Sequence, residues 1–164
     1  MEKEITIKYK IFENESALNE IEKKLFEKAK LSREKAYAPY SNFLVGCSIL
    51  LQNGEIVTGN NQENGAYPSG TCAERTALYW ASANFPNENI EKIFIVGALR
   101  EFNESNLKPV PPCGSCRQSI AEYEIKQNQP IDIYFSSVSG KIYKISSIKS
   151  LLPFLFDGDT FLDK

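Results

Sequence analysis

Apolar and polar residues alternate from residue 5 to residue 11, with Ile5, Ile7, Tyr9 and Ile11 at every second position. A period of two is the mark of a half-buried strand. The period lengthens after Ser16. Leu18, Ile21, Leu25 and Ala29 recur at helical spacing, which predicts a first helix with Ser16 as its N-cap. That helix has to end before Tyr37, because Pro39 disfavours helix in the residue ahead of it. Two apolar runs, 43–51 and 55–59, flank Gln52-Asn53-Gly54, and Asn-Gly between such runs predicts a hairpin. Turn residues fill the segment before 72–83, where helix formers predict a second helix. The run at 93–99 reads as a buried central strand. A polar loop at 100–112 leads to Pro112-Cys113, which opens a third helix with Cys116, Ile120 and Tyr123 on one stripe. Segments 131–137 and 140–146 read as closing strands, and the apolar run 151–156 needs cover, as part of a C-terminal helix or at a subunit contact. The order (β)α-ββ-α-β-α-ββ predicts an α/β fold with a mixed sheet and helices packed on it.

The 164 residues are expected to form one domain, 1–164, whose first 30 residues make an N-terminal extension holding a strand and part of the first helix. Net charge is −2, with no basic stripe, which argues against nucleic acid as a partner. No stretch approaches a membrane span and the start lacks the pattern of a leader, so a cytoplasmic location is expected. The absence of histidine changes the picture most. Any zinc site must use thiolates or carboxylates, and any general base must be a residue other than histidine.

Cys72-Ala73-Glu74 stands at the start of one predicted helix and Pro112-Cys113-Gly114-Ser115-Cys116 at the start of another. Helix starts offer unpaired N–H groups and partial positive charge, which favour thiolates. Three thiolates leave one tetrahedral position open, as catalytic zinc sites do and structural ones do not. Cys47 lies mid-strand beside Val45 and Ile49 and reads as a core thiol; as a fourth ligand it would instead close a structural site. A C-x-x-C pair alone fits redox chemistry equally well. Glu74 tips the reading towards hydrolysis, since a carboxylate two residues from a metal ligand can exchange protons with a metal-activated water.

Together, CAER, PCGSCRQ, APYSNFLVG, NQEN and LLPFLF resemble the zinc-dependent cytidine deaminase superfamily, in its small, usually homotetrameric form that acts on free nucleosides. The resemblance spans roughly residues 36–156. It implies a three-layer α-β-α fold with a mixed sheet of about five strands plus the N-terminal extension. It also implies Zn2+ on Cys72, Cys113 and Cys116, and Glu74 as the proton shuttle in converting cytidine or deoxycytidine to the uracil nucleoside and ammonia. By the same resemblance Asn61 and Glu63 hold the ribose, Phe43 packs on the base, Ala73 lies at the substrate, and Arg75 hydrogen-bonds the ligating sulfurs. Phe156, with Tyr67, reaches a neighbouring subunit's site, so the partner implied is another copy, in a tetramer or a dimer. Other readings are a deaminase of a different aminopyrimidine nucleoside or nucleoside antibiotic, a nucleotide deaminase, and a non-enzymatic zinc module; no glycine-rich phosphate cradle supports the nucleotide enzyme. Three departures stand out: the first 30 or so residues, expected to cover a sheet edge; a long 100–111 connection; and Asn60 and Gln62 beside the ribose pair.

Overall fold

A computed structural model describes residues 1–158 and contains six strands: β1 (Lys10–Phe12), β2 (Phe43–Leu51), β3 (Ile56–Asn60), β4 (Ile90–Leu99), β5 (Asp132–Ser136) and β6 (Ile142–Ile145). Three α-helices, α1 (Glu20–Arg33), α2 (Ala73–Asn84) and α3 (Gly114–Lys126), alternate with them. The strands form one mixed sheet in the order β1-β6-β5-β4-β2-β3. Among neighbouring strands only β4 and β5 run parallel; α3 is the crossover that joins them, and α2 likewise carries the chain from β3 past β2 to the co-directional β4. The sixth strand is supplied by the N-terminal extension, which covers the outer edge of β6 as expected.

Alternation along β2 shows how the layers arise. Cys47, Ile49 and Leu51 pack with Ala73, Ala77 and Leu78 of α2 and Ile120 and Ala121 of α3. Leu50 faces the other way, joining Leu25, Phe26 and Ala29 of α1. One helix therefore covers one face of the sheet and two cover the other, the three-layer arrangement. The β2–β3 hairpin turns through Gly54, whose φ of +87° lies in the region glycine adopts freely. At Gly59, β3 approaches α2 so closely that an added Cβ would meet the Ala77 amide nitrogen at 2.5 Å.

Several boundaries differ from the sequence reading. The first strand covers only 10–12, not 5–11, because β6 offers just four residues for pairing. Ile5, Ile7, Tyr9 and Ile11 stay exposed, and Phe12 is the residue that enters the core. The first helix starts at Glu20 rather than after Ser16. Asn19 accepts from the Glu22 amide while the Glu22 carboxylate accepts from the Asn19 amide, a reciprocal capping box that satisfies two helix-start groups together. Ser16 instead sits in a single 3-10 turn capped by Asn14. The central strand begins three residues earlier than predicted, at Ile90. Segment 151–156 forms no helix. Leu151 and Leu155 rest against the core while Phe154 and Phe156 point outward.

Two buried carboxylates brace the layers. Glu22 on α1 accepts from the Tyr134 hydroxyl at 2.7 Å, tying α1 to β5. Glu124 on α3 accepts from the amides of Ile131 and Ile148 and from the Ser147 hydroxyl. Each has a donor on both carboxylate oxygens, the condition under which a buried polar group is tolerated.

Candidate active site

Cys72 and Cys113 are the N-caps of α2 and α3, both in extended backbone conformation, and neither side chain makes a capping hydrogen bond to the first-turn amides. A cap position usually holds a side chain that folds back on the first-turn amides; here both sulfurs are free to face each other. They lie 3.9 Å apart, and Cys116, one turn into α3, is 3.5 Å from Cys113. All three sulfurs fall within 4.8 Å of one another. Sulfurs about 2.3 Å from a tetrahedral zinc would be separated by about 3.8 Å, so the observed spacing matches what that ion needs. Arg75 offers a second observation. Its Nη2 is 3.9 Å from the Cys72 sulfur, while its buried Nε has no hydrogen-bond partner among the described residues. A cation placed thus favours a negatively charged ligand set beside it.

The electrostatics follow the same logic. Hydrogen bonding from Cys116 comes first, with Arg75 and Cys113 adding to it, and the Cys72 thiol is drawn down to about 5 against the opposing effect of burial. Cys116 is pushed upward by the same hydrogen bond and by burial. Glu74, in the first turn of α2, is almost wholly enclosed. Burial above all, with the Cys72 charge beside it, raises its carboxyl to about 7, within the range useful to a group that takes and returns protons near neutral pH.

Cys47 stands outside this cluster. It is fully buried in the core against α2, and burial followed by the Glu74 charge holds its thiol well above the ordinary range. It is a neutral packing residue, and the cluster that can hold a metal consists of Cys72, Cys113 and Cys116.

A cavity of about 560 Å³ opens beside Cys72, lined among others by Tyr40, Ser41, Asn61, Glu63, Tyr67 and Arg75. The structure thus brings Asn61 and Glu63 into one cavity with Cys72 of the sulfur cluster. Both already have partners. The Asn61 amide accepts from Val45 N at 2.8 Å and donates to Phe43 O at 2.9 Å, fastening the start of β2. The Glu63 carboxylate accepts from Tyr40 N, Ser41 N and Ser41 Oγ, and the Ser41 hydroxyl foremost holds it below the usual carboxylate range. Asn61 keeps one N–H and Glu63 keeps acceptor capacity facing the cavity.

Phe43 is not among the residues lining that cavity. Its ring lines a second one, about 400 Å³, with Gly97, Phe102, Leu107 and Val110 beneath the 100–111 connection. Ala73 is buried between Cys72 and Glu74. Phe156 reaches neither cavity of its own chain; its backbone pairs with the Gln118 side chain on α3. Sequence reasoning missed the roles of Tyr40, Ser41 and Arg33. Arg33 is buried in α1 and donates to the carbonyls of Ala98 and Leu99, anchoring the exit of β4 into the long connection. The APYSN segment was a signal for Tyr40 and Ser41; Arg33, a charged residue in a helix, offered none.

A family model described as the cytidine and deoxycytidylate deaminase zinc-binding region matches residues 19–129. The chain is 36% identical over 141 residues to a cytidine deaminase of Halalkalibacterium halodurans, covering 85% of this chain and 96% of that protein. It is 36% identical over 133 residues to a cytidine deaminase of Sporosarcina psychrophila, covering 81% and 89%. Among solved structures, the cytidine deaminase from Burkholderia pseudomallei superposes with a TM-score of 0.69 at 36% identity, over 81% of this chain and 97% of that one. The chain belongs to the zinc-binding cytidine and deoxycytidylate deaminase family. The cysteine cluster is where such a protein can hold its zinc.

Proposed function

We propose that this protein hydrolyses free cytidine or deoxycytidine to the uracil nucleoside and ammonia. The observation that carries the reading is one enclosed carboxylate, Glu74, two residues from Cys72 in a cluster of three sulfurs spaced for zinc. Held by Cys72, Cys113 and Cys116, zinc supplies the Lewis acidity that makes a water nucleophilic near neutral pH. Glu74 accepts the proton that water gives up as it attacks C4 of the base, and returns it to ring N3. It then carries the water's second proton to the amine, which leaves as ammonia while the carbonyl of uracil forms. Enclosure of Glu74 keeps bulk water from competing for those protons.

The remaining roles follow from position. Ala73, first residue of α2, has a backbone N–H without a helical partner, a donor suited to the base's ring carbonyl oxygen. Asn61 and Glu63 meet the sugar, and Phe43 supports the base edge facing the 100–111 connection. Arg75 offsets the excess negative charge of three thiolates on a divalent ion. Tyr67 and Phe156, both largely exposed in one chain, complete the site of a neighbouring subunit in a homotetramer or dimer. We place the enzyme in the cytoplasm, acting on small nucleosides in pyrimidine salvage; no helix of the described residues is long and apolar enough to cross a membrane.

A second reading is favoured by one observation. The apolar cavity between Phe43 and the long connection has room for a substituent on the base, which fits a deaminase of a modified aminopyrimidine nucleoside.

The test is loss of ultraviolet absorbance of cytidine with zinc-loaded protein, beside the Glu74→Gln variant. Conversion by the parent and a loss of at least about 100-fold in the variant are expected. A folded, zinc-containing parent that leaves cytidine untouched but deaminates a base-substituted analogue would establish the second reading instead. Full activity in Glu74→Gln would refute the mechanism.

A further inference from the structure

Residues 1–9 run beyond the sheet without pairing to any strand. The strand they lead into, β1, is the outermost of the sheet, so its far edge is open among the described residues. The apolar side of this segment is uncovered, with Ile5, Ile7, Tyr9 and Ile11 exposed at 54%, 45%, 58% and 38%. Tyr9 stacks on Tyr143 of β6 at 5.9 Å, which fixes the side of the sheet this face continues.

The opposite side carries the information about a partner. In extended chain it presents Glu2, Glu4, Thr6, Lys8 and Lys10. The signs are segregated, acidic in the first half and basic in the second. None of these four charges takes part in an ion pair among the described residues. Exposed edges are commonly blunted by charges placed to repel another strand. This arrangement does the reverse for one partner, an antiparallel copy of itself.

We propose that residues 2–10 pair antiparallel with the same residues of a second copy of this chain, about a two-fold axis at Thr6. In that register Glu4 faces Lys8 of the second copy and Glu2 faces Lys10, each twice by symmetry. Ile5 faces Ile7, and Lys3 lies opposite Tyr9. Opposed residues in an antiparallel pair share a face, so all the charged pairs lie on one side and all the isoleucines on the other. Moving the axis by one residue, to Ile7, sets Lys8 against Thr6 and loses two of the four charge pairs, so the sequence selects its register. An isologous contact of this kind closes on itself and adds no open edge for further growth. The two Lys10 residues stand eight residues apart along the ribbon, about 26 Å at a strand's rise.

The experiment is disulfide trapping. Zinc-loaded Thr6→Cys protein is expected to form a covalent dimer under mild oxidation, at a protein concentration where the parent chain forms none. Adding Lys8→Glu sets like charges opposite each other and is expected to slow trapping about ten-fold. Adding Glu4→Lys to that variant restores opposite charges with their signs exchanged, and trapping recovers. Circular dichroism confirms that each variant is folded. Absence of a covalent dimer in folded Thr6→Cys protein, or trapping indifferent to Lys8→Glu, overturns the proposal and leaves the segment a solvated tail. None of these positions touches the sulfur cluster, so the result does not depend on the deaminase reading.

Discussion

A methyl group at residue 59 has nowhere to go. A Cβ there would stand 2.5 Å from the Ala77 amide nitrogen and 2.7 Å from the Ala73 carbonyl oxygen. Both are backbone atoms of α2, so no side-chain rotation relieves the contact. Ordinary contact begins near 3.4 Å, and β3 and α2 must therefore part by at least about 0.9 Å. Over-packing of a dense core costs about 1–3 kcal/mol. The functional consequence is larger, because α2 carries Cys72 at its cap and Glu74 in its first turn, while Cys113 and Cys116 ride on α3. The separation shifts the proton-carrying carboxylate and one sulfur relative to the other two. A displacement near 1 Å can cost about 100-fold in rate. Gly59→Ala is thus expected to fold, to lose about 1–3 kcal/mol in urea unfolding, and to lose about two orders of magnitude in kcat/KM for cytidine. Measuring kcat/KM and zinc content on the same preparation separates misplacement from metal loss. A kcat/KM within about threefold of the parent, with an unchanged unfolding midpoint, would refute this link between packing and catalysis.

Three further outcomes are expected. Arg75→Gln removes the cation beside the Cys72 sulfur and lowers turnover by about ten-fold or more while unfolding shifts by less than about 1 kcal/mol; equal turnover with full zinc would contradict it. Cys47→Ala keeps one zinc per chain by metal analysis, because its sulfur is outside the cluster, and costs about 1 kcal/mol of core packing. Stability in alkali depends on Tyr134, whose phenol burial and the Glu22 hydrogen bond hold well above the ordinary tyrosine range. Above pH about 10 the unfolded chain releases this proton and the folded chain keeps it, so stability falls as pH rises, by up to about 1.4 kcal/mol per unit. Urea unfolding of Tyr134→Phe across pH 9–11 should lack that share of the slope, and identical slopes would exclude it.

Whatever rests on neighbours along the chain was legible in the order of the amino acids. Asn53-Gly54 between apolar runs dictated the β2–β3 hairpin, and alternation put Cys47 and Ile49 on one face of β2 because side chains on a strand alternate whatever lies beyond it. Cys72 and Glu74, and Cys113 and Cys116, were legible as chemistry because two or three residues of separation at a helix start fix their mutual placement. Everything else waited on which surfaces pack together. Alternation promised a seven-residue first strand, but a strand is only as long as its partner, and β6 ends the pairing after three residues. Packing turned Asn61 and Glu63 towards backbone donors and acceptors of the 40–45 segment as well as towards the cavity. It also placed the Phe43 ring under the long connection, away from the cavity those two residues line. Burial of Arg33 depends on the carbonyls at the end of β4, 65 residues away, a separation across which local preference carries no information. Hydrogen-bond partners and cavity walls are set by which surfaces meet, and that follows from the packing of the whole core.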